Sequence, residues 1–243
     1  MSDSYLIVGA SSDIGITVAD KLLSLGNNVV LYARDTSRLS NLKDKGAKII
    51  DGDALNEESL KDAINITLEH GNGKISGIAN LVGSIKIRPP HVMSLQEFDE
   101  VIKTNLSTAF LTVSLGGKVM LRNNGGRIVL TSSVAGSLGL VNHEAIAAAK
   151  GGIESMTRAA AATYAKRNIR INAVAPGLTD TRLSEPILKS EQIREASKNM
   201  IPIKRINTRE EIAKCIVWLL TDAPDNLTGQ VLHLDGGMSQ ILA

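Results

Sequence analysis

Tyr5-Leu6-Ile7-Val8-Gly9-Ala10-Ser11-Ser12-Asp13-Ile14-Gly15 carries a short apolar run into a turn bounded by two glycines. The run Tyr5–Val8 has the length and β-branched content of a buried strand, and the stretch Ile14–Leu25 that follows has the amphipathic period of a helix. Glycine at the strand end permits a tight turn. A helix starting there presents free N–H groups and the positive end of its dipole, which suits a pyrophosphate. A glycine pair alone is a weak signal. Its place between a first strand and a first helix makes Gly9, Ser11, Ser12, Asp13, Ile14 and Gly15 a candidate dinucleotide-binding turn.

Outward from this turn the chain keeps alternating β-branched runs with amphipathic stretches. Further strands are expected at Asn28–Tyr32, Lys48–Asp51, Gly77–Val82, Arg127–Leu130, Arg170–Val174 and Gln230–Leu234. Helices are expected near Ser37–Lys45, Glu57–Glu69, Ser94–Met120, His143–Lys166 and Arg209–Leu220. This pattern predicts a single α/β domain over residues 1–243, a Rossmann-like doubly wound parallel seven-stranded sheet with helices on both faces. Two pieces stand apart. The charged segment 183–206 reads either as a flap over the C-terminal strand ends or as an ordinary surface helix pair. Gly151-Gly152 lies inside a helical pattern, where each glycine costs ~1 kcal/mol against alanine. Either that cost is tolerated or close packing against another helix, here or in a second subunit, offsets it.

Composition narrows the functional classes. The 243 residues carry a net charge of +2 and six aromatic side chains, which leaves neither a strong field nor a stacking platform for nucleic acid. The single Cys215 excludes an internal disulfide framework and fits a reducing compartment. No apolar run approaches the ~18 residues that cross a membrane, and Met1–Ser4 carries no basic segment ahead of the first strand. A cytoplasmic protein without a membrane or nucleic-acid partner is expected. His70, His91 and His233 show no metal-ligand spacing, and no metal site is expected.

At the end of the second strand stands Arg34, after Ala33 and before Asp35. An acid near this point would bind the 2′-hydroxyl of NAD, whereas an arginine suits the 2′-phosphate of NADP. NADP(H) is the preferred cofactor and NAD(H) the alternative.

With these motifs in this order, the chain resembles the short-chain dehydrogenase/reductase family over nearly its whole length, in overall style the 3-oxoacyl-acyl-carrier-protein reductases. The resemblance implies an oxidoreductase that interconverts a carbonyl and an alcohol. Gly9…Gly15 is similar to the family's glycine motif, with Asp13 in place of a middle glycine; as a helix N-cap, Asp13 would turn its carboxylate onto backbone N–H groups. Asp53, next to Ala54, matches the family's adenine contact. Asn80 and Gly83 are what remains of its Asn-Asn-Ala-Gly motif, which lines the adenosine ribose and steadies the sheet. Asn105 matches the asparagine that holds a relay water. Pro176, Gly177, Thr179 and Thr181 resemble the loop that clasps the nicotinamide carboxamide, and Asp235-Gly236-Gly237 resembles the C-terminal ending.

The family's chemistry uses a serine and a Tyr-x-x-x-Lys pair on one helix, the ammonium lowering the phenol pKa one turn away. Ser133 and Lys150 match. Thirteen residues after Ser133 and four before Lys150, the tyrosine position is Ile146, which can neither donate a proton nor stabilise an oxyanion. Tyr164 lies about 27 Å further along the helix. His143, three residues before Ile146, shares its face and that of Lys150, and an imidazole exchanges protons near neutral pH. Either His143 is the substitute acid, or it is a plain helix-start residue and Lys150 or a water delivers the proton. Three functions follow: a carbonyl or alcohol oxidoreductase with atypical proton delivery, a catalytically silent dinucleotide-binding protein, or a non-redox enzyme on the same scaffold. The resemblance also implies a homo-oligomer, tetramer or dimer, joined through Ser94–Met120 and His143–Lys166.

Overall fold

The computed structural model describes residues 2–242. Seven strands form one parallel sheet: β1 Ser4–Val8, β2 Asn28–Ala33, β3 Lys48–Asp51, β4 Gly77–Asn80, β5 Gly126–Thr131, β6 Ile169–Pro176 and β7 Val231–Leu234. Their order is β3-β2-β1-β4-β5-β6-β7, so the winding reverses between β1 and β4 and opens a crevice at their C-terminal ends. The helices are α1 Asp13–Ser24, α2 Ser40–Asp44, α3 Glu57–His70, α4 Leu95–Ile102, α5 Thr108–Met120, α6 Glu144–Tyr164, α7 Glu191–Asn199 and α8 Arg209–Thr221.

Strand alternation sorts the core onto two faces. On β1, Tyr5 and Ile7 pack with Val18 and Leu22 of α1 and Ile212 and Ile216 of α8. Leu6 and Val8 face the other way, onto Leu60 and Ile64 of α3, Val113 of α5 and Ile153 of α6. Burying each such side chain stabilises by roughly 1.5–3 kcal/mol. The strands are thus apolar on both faces, as a sheet covered on both sides requires.

Three expectations are corrected, and the open alternative at Gly152 is resolved in favour of close packing. The helix foreseen over Ser94–Met120 begins with Ser94 and Glu97 capping each other, then breaks into α4 and α5 at a wide π turn, Lys103–Ser107. Strand β4 stops at Asn80 rather than Val82, because the Asn80 carboxamide oxygen accepts the Val82 N–H at 3.0 Å and turns the chain. Segment 183–206 contains turns and then only α7. Gly152 needs no second subunit to explain it: a Cβ there would lie 2.9 Å from Leu106 in the π turn, so the glycine lets the two helices meet. Among the described residues, no helix is long and apolar enough to cross a membrane.

Candidate active site

A cavity of about 820 Å³ runs along the C-terminal strand ends, from Arg34 at one end to Met200 at the other. Its floor starts at the glycine turn. Gly9 has φ +81° and a Cβ there would lie 2.8 Å from the Val82 nitrogen, so only glycine lets β1 pass this close to the end of β4. Ser12, not Asp13, caps α1: its Oγ accepts the Gly15 N–H at 3.0 Å and donates to the Gly9 carbonyl at 2.9 Å. The N–H groups of Asp13 and Ile14 then open the helix without intrahelical acceptors, facing the cavity that both residues line. Gly15 does not line it. A Cβ there would sit 2.7 Å from the Ala10 carbonyl oxygen, so its role is to let the helix close on the turn.

Asp13 therefore does something other than cap. Its side chain is only 5% exposed and collects two arginines. Arg38 Nη2 donates to it at 2.6 Å; the Arg182 backbone N–H and Nε donate at 2.7 and 3.3 Å. Both guanidiniums also donate to the Ser11 carbonyl oxygen, at 2.7 and 3.1 Å. Burial pulls the Asp13 carboxyl up, but these donors outweigh it and hold it below the usual carboxylate range. The segment after β6 is thereby tied to the first turn of α1. Arg34, exposed beside this knot, makes no hydrogen bond among the described residues, while the neighbouring Asp35 carboxylate accepts the Ser37 N–H at 2.9 Å.

Asp53 and Ala54 line the same end, with one Asp53 carboxylate oxygen engaged by the Leu55 N–H at 2.9 Å. Asn80 does not line the cavity. It is buried beneath it, donating to the Thr108 carbonyl and Thr112 Oγ1 at 3.0 and 2.7 Å, so of its two expected roles only the bracing of β4 against α5 is present. Gly83, Pro176, Gly177, Thr179 and Thr181 line the cavity. Asp235 is a buried turn residue, accepting the Gly237 and Ser239 N–H groups at 2.9 Å each.

At mid-cavity stand Ser133, Lys150, Asn105, Ile146 and His143. Ser133 caps a short turn by accepting the Ala135 N–H on Oγ at 3.2 Å, which leaves its own hydroxyl proton to donate. Lys150 Nζ donates to the Thr131 carbonyl at 2.8 Å; burial without a paired anion pushes its pKa down to about 8. Asn105, in the π turn, is fully buried: it donates to the Val101 carbonyl and Ser84 Oγ and accepts the Ser84 N–H. Ile146 is buried in an apolar cluster with Val101, Ala135 and Ala149. His143 precedes α6 rather than opening it, and its Nδ1 lies 2.7 Å from the Val141 carbonyl oxygen.

These residues fit a nicotinamide dinucleotide: free N–H groups and an unpaired arginine at one end, a serine and a desolvated lysine in the middle, and room along the strand ends. A family profile described as Enoyl-(Acyl carrier protein) reductase matches residues 9–239. The chain belongs to the short-chain dehydrogenase/reductase family. It is 32% identical to a 3-oxoacyl-[acyl-carrier-protein] reductase of Aquifex aeolicus, over 96% of each protein. It is also 32% identical to glucose 1-dehydrogenase 2 of Bacillus subtilis, over 96% of this chain and 93% of that one. Among solved structures, levodione reductase superposes with a TM-score of 0.89 at 30% identity, covering 99% of this chain and 98% of that one. Actinorhodin polyketide ketoreductase with NADPH gives 0.90 at 25% identity, covering 99% and 98%.

In this short-chain dehydrogenase/reductase, sequence reasoning missed three groups. Arg38 and Arg182 were foreshadowed only by Asp13, a charge in an apolar setting that requires a partner. Ser84 was invisible as the partner of Asn105. Glu154, one turn beyond Lys150, is buried; it accepts from Ser132 Oγ at 2.8 Å and from Ser137 Oγ at 2.9 and 3.0 Å, gripping the turn that carries Ser133 from both sides.

Proposed function

We propose that this protein is an NADP(H)-dependent oxidoreductase that interconverts a carbonyl and an alcohol, with altered proton delivery and with residues 183–206 as a flap over the substrate end. The observation that carries the reading is the convergence of Ser133, Lys150 and Asn105 in the middle of one cavity whose far end holds the unpaired Arg34. Arg34 would take the 2′-phosphate, the open N–H groups of α1 the diphosphate, and Asp53 with Ala54 the adenine. Thr179 and Thr181, beside Pro176 and Gly177, would face the carboxamide. The nicotinamide, when bound, supplies or accepts the hydride.

Ser133 would donate its free hydroxyl proton to the substrate oxygen and polarise the carbonyl. Lys150 keeps two N–H donors beyond the one given to Thr131, for the ribose and for proton exchange. Ile146 stands where the family keeps its tyrosine and offers no proton. His143 borders the same space; as the imidazolium, with Nδ1–H donated to the Val141 carbonyl, it would pass its Nε2 proton to the substrate oxygen and regain one from water. The test is NADPH-dependent reduction of a carbonyl panel by the wild type and His143→Ala, with NADPH and NADH titrations alongside. Unchanged turnover in the variant removes His143 from the mechanism; NADPH binding without turnover of anything removes the oxidoreductase.

That second outcome would favour a silent dinucleotide-binding protein, a reading supported by the burial of Ile146 in an apolar cluster at the reacting position. On either reading we place a self-association surface on α4, α5 and α6, where Leu95 and Phe110 remain exposed. A scattering mass of one 25.8 kDa chain would refute it.

A further inference from the structure

We infer that the half of the cavity above β4–β6 takes an uncharged, apolar carbonyl compound, or the alcohol made from it, and discriminates against sugars, hydroxy acids and phosphorylated substrates. The inference rests on the oxidoreductase reading and names the substrate class of that same site.

Charge is distributed unevenly along the cavity. Asp13, Arg34, Asp35 and Asp53 follow β1, β2 and β3, and Arg182 bends back from β6 to join Asp13. Above β4–β6 the ionisable lining groups among the described residues are Lys150, His143 and Arg182, the last of them turned onto Asp13 and the Ser11 carbonyl. Lys150 sits on the floor, bonded to the Thr131 carbonyl. A carboxylate or phosphate drawn to it would lie where the reacting carbonyl must meet Ser133, and the cations beside the apolar walls are already paired, Lys86 and Arg88 with Glu97 and Arg182 with Asp13.

The walls carry the positive half of the argument. Ile85 and Ile87 after β4, Val141 before α6, and Leu183 and Met200 in the segment after β6 all line the cavity and are left uncovered. Val141 is 82% exposed, Met200 61% and Leu183 50%. Soluble proteins rarely leave that much apolar side chain together except where something covers it. These five line the same cavity as Ser133, so the occupant is a molecule that can place a carbonyl at Ser133 while its apolar part meets them. Much of the polar lining at this end is already engaged within the protein: the Asn105, Thr108, Thr131, Ser132 and Ser184 side chains donate to the Val101, Thr104, Asn80, Lys150 and Thr179 carbonyls. A polyol would lose its water here without gaining matching partners, whereas an alkyl chain loses nothing.

The experiment compares straight-chain 2-alkanones of increasing length with glucose and pyruvate in NADPH oxidation. In parallel it measures binding of the neutral fluorophore N-phenyl-1-naphthylamine and its displacement by 2-decanone. We expect kcat/KM to rise about fourfold per added methylene, the equivalent of ~0.8 kcal/mol, until the chamber is full. Ile87→Glu and Met200→Glu should weaken 2-decanone binding at least tenfold while the NADPH Kd stays unchanged. A flat chain-length profile, or preference for glucose or pyruvate, overturns the inference. If no compound is reduced but the fluorophore binds and is displaced, the oxidoreductase reading fails and the apolar class stands. If the fluorophore does not bind, or its signal falls as protein concentration rises because a second copy covers the mouth, the apolar class fails.

Discussion

Above β1–β3 the cavity is lined by close-packed backbone and charged side chains; above β4–β6 its lining includes aliphatic side chains that nothing covers. At the first end Gly9 admits no Cβ, and Asp13 is held by donors from two distant segments. At the second, Ile85, Ile87, Val141 and Met200 leave apolar surface exposed. On the proposed function, the difference follows from what each end would recognise. A diphosphate is bound by fixed N–H groups and cations, which demand a rigid turn. An apolar substrate is bound by removing surface from water, which demands shape and little else. Between them lies the proposed reacting centre, where Lys150 and Ser133 are placed by hydrogen bonds and Ile146 is placed by packing.

The contrast can be broken most severely at the centre. Lys150→Met should lower turnover by 10²–10⁴, the usual range for removing a group that moves protons. It should do so while stability at pH 7 rises, because a buried ammonium without a paired anion is removed. The sign is checkable. An unfolded lysine keeps its proton to about pH 10.5, whereas Lys150 gives it up near 8. Between those values the unfolded state binds more protons, so the wild type gains stability as pH rises from about 8. Urea denaturation of both proteins at pH 7 and 9.5 should show the variant's advantage shrinking.

At the charged end, Asp13→Asn should lower stability by about 2 kcal/mol. The loss is smaller than for a fully buried pair, because Arg38 and Arg182 are partly exposed. Asp13 is held below the usual carboxylate range, so its contribution is present above about pH 4 and fades as acid protonates it. The urea midpoints of wild type and variant should therefore converge at low pH. Ile146→Tyr should raise turnover about tenfold by restoring a proton donor, at a cost of 1–3 kcal/mol for overfilling its apolar cluster. Stopped-flow NADPH oxidation and thermal unfolding would read the two effects separately. Glu154→Gln should have the smallest effect, about 1 kcal/mol in stability and a few-fold loss in kcat with the KM for NADPH unchanged. The amide keeps one acceptor for Ser132 and Ser137 but loses the charge.

How much of this was legible depends on how far along the chain the partners lie. Tyr5–Val8, the glycine turn and α1 form within about 20 residues, and their pattern is local, so strand, turn and helix could be placed to within a residue or two. The roles of Gly15 and Asn80 were misplaced, because whether a residue lines a cavity or braces its floor depends on neighbours from other strands. The break at Lys103–Ser107 was not legible in the hydrophobic period, because residues buried at and just after it, Asn105 and Thr108, are polar and give no apolar signal. Asp13 and Arg182 are 169 positions apart, and no spacing rule joins them.

The sequence by itself determined the alternating strands and helices, the parallel sheet they imply, the need for glycine at position 9, and the isoleucine between Ser133 and Lys150. These rest on local geometry and on the two-residue and 3.6-residue periods that decide which side chains face the core. Only the tertiary structure decided that Asp13 binds two arginines instead of capping its helix, that Gly152 exists to admit Leu106, and that the cavity is charged at one end and apolar at the other. A side chain's partner is set by which segments the sheet order brings together, and that order emerges only when the whole core is buried at once.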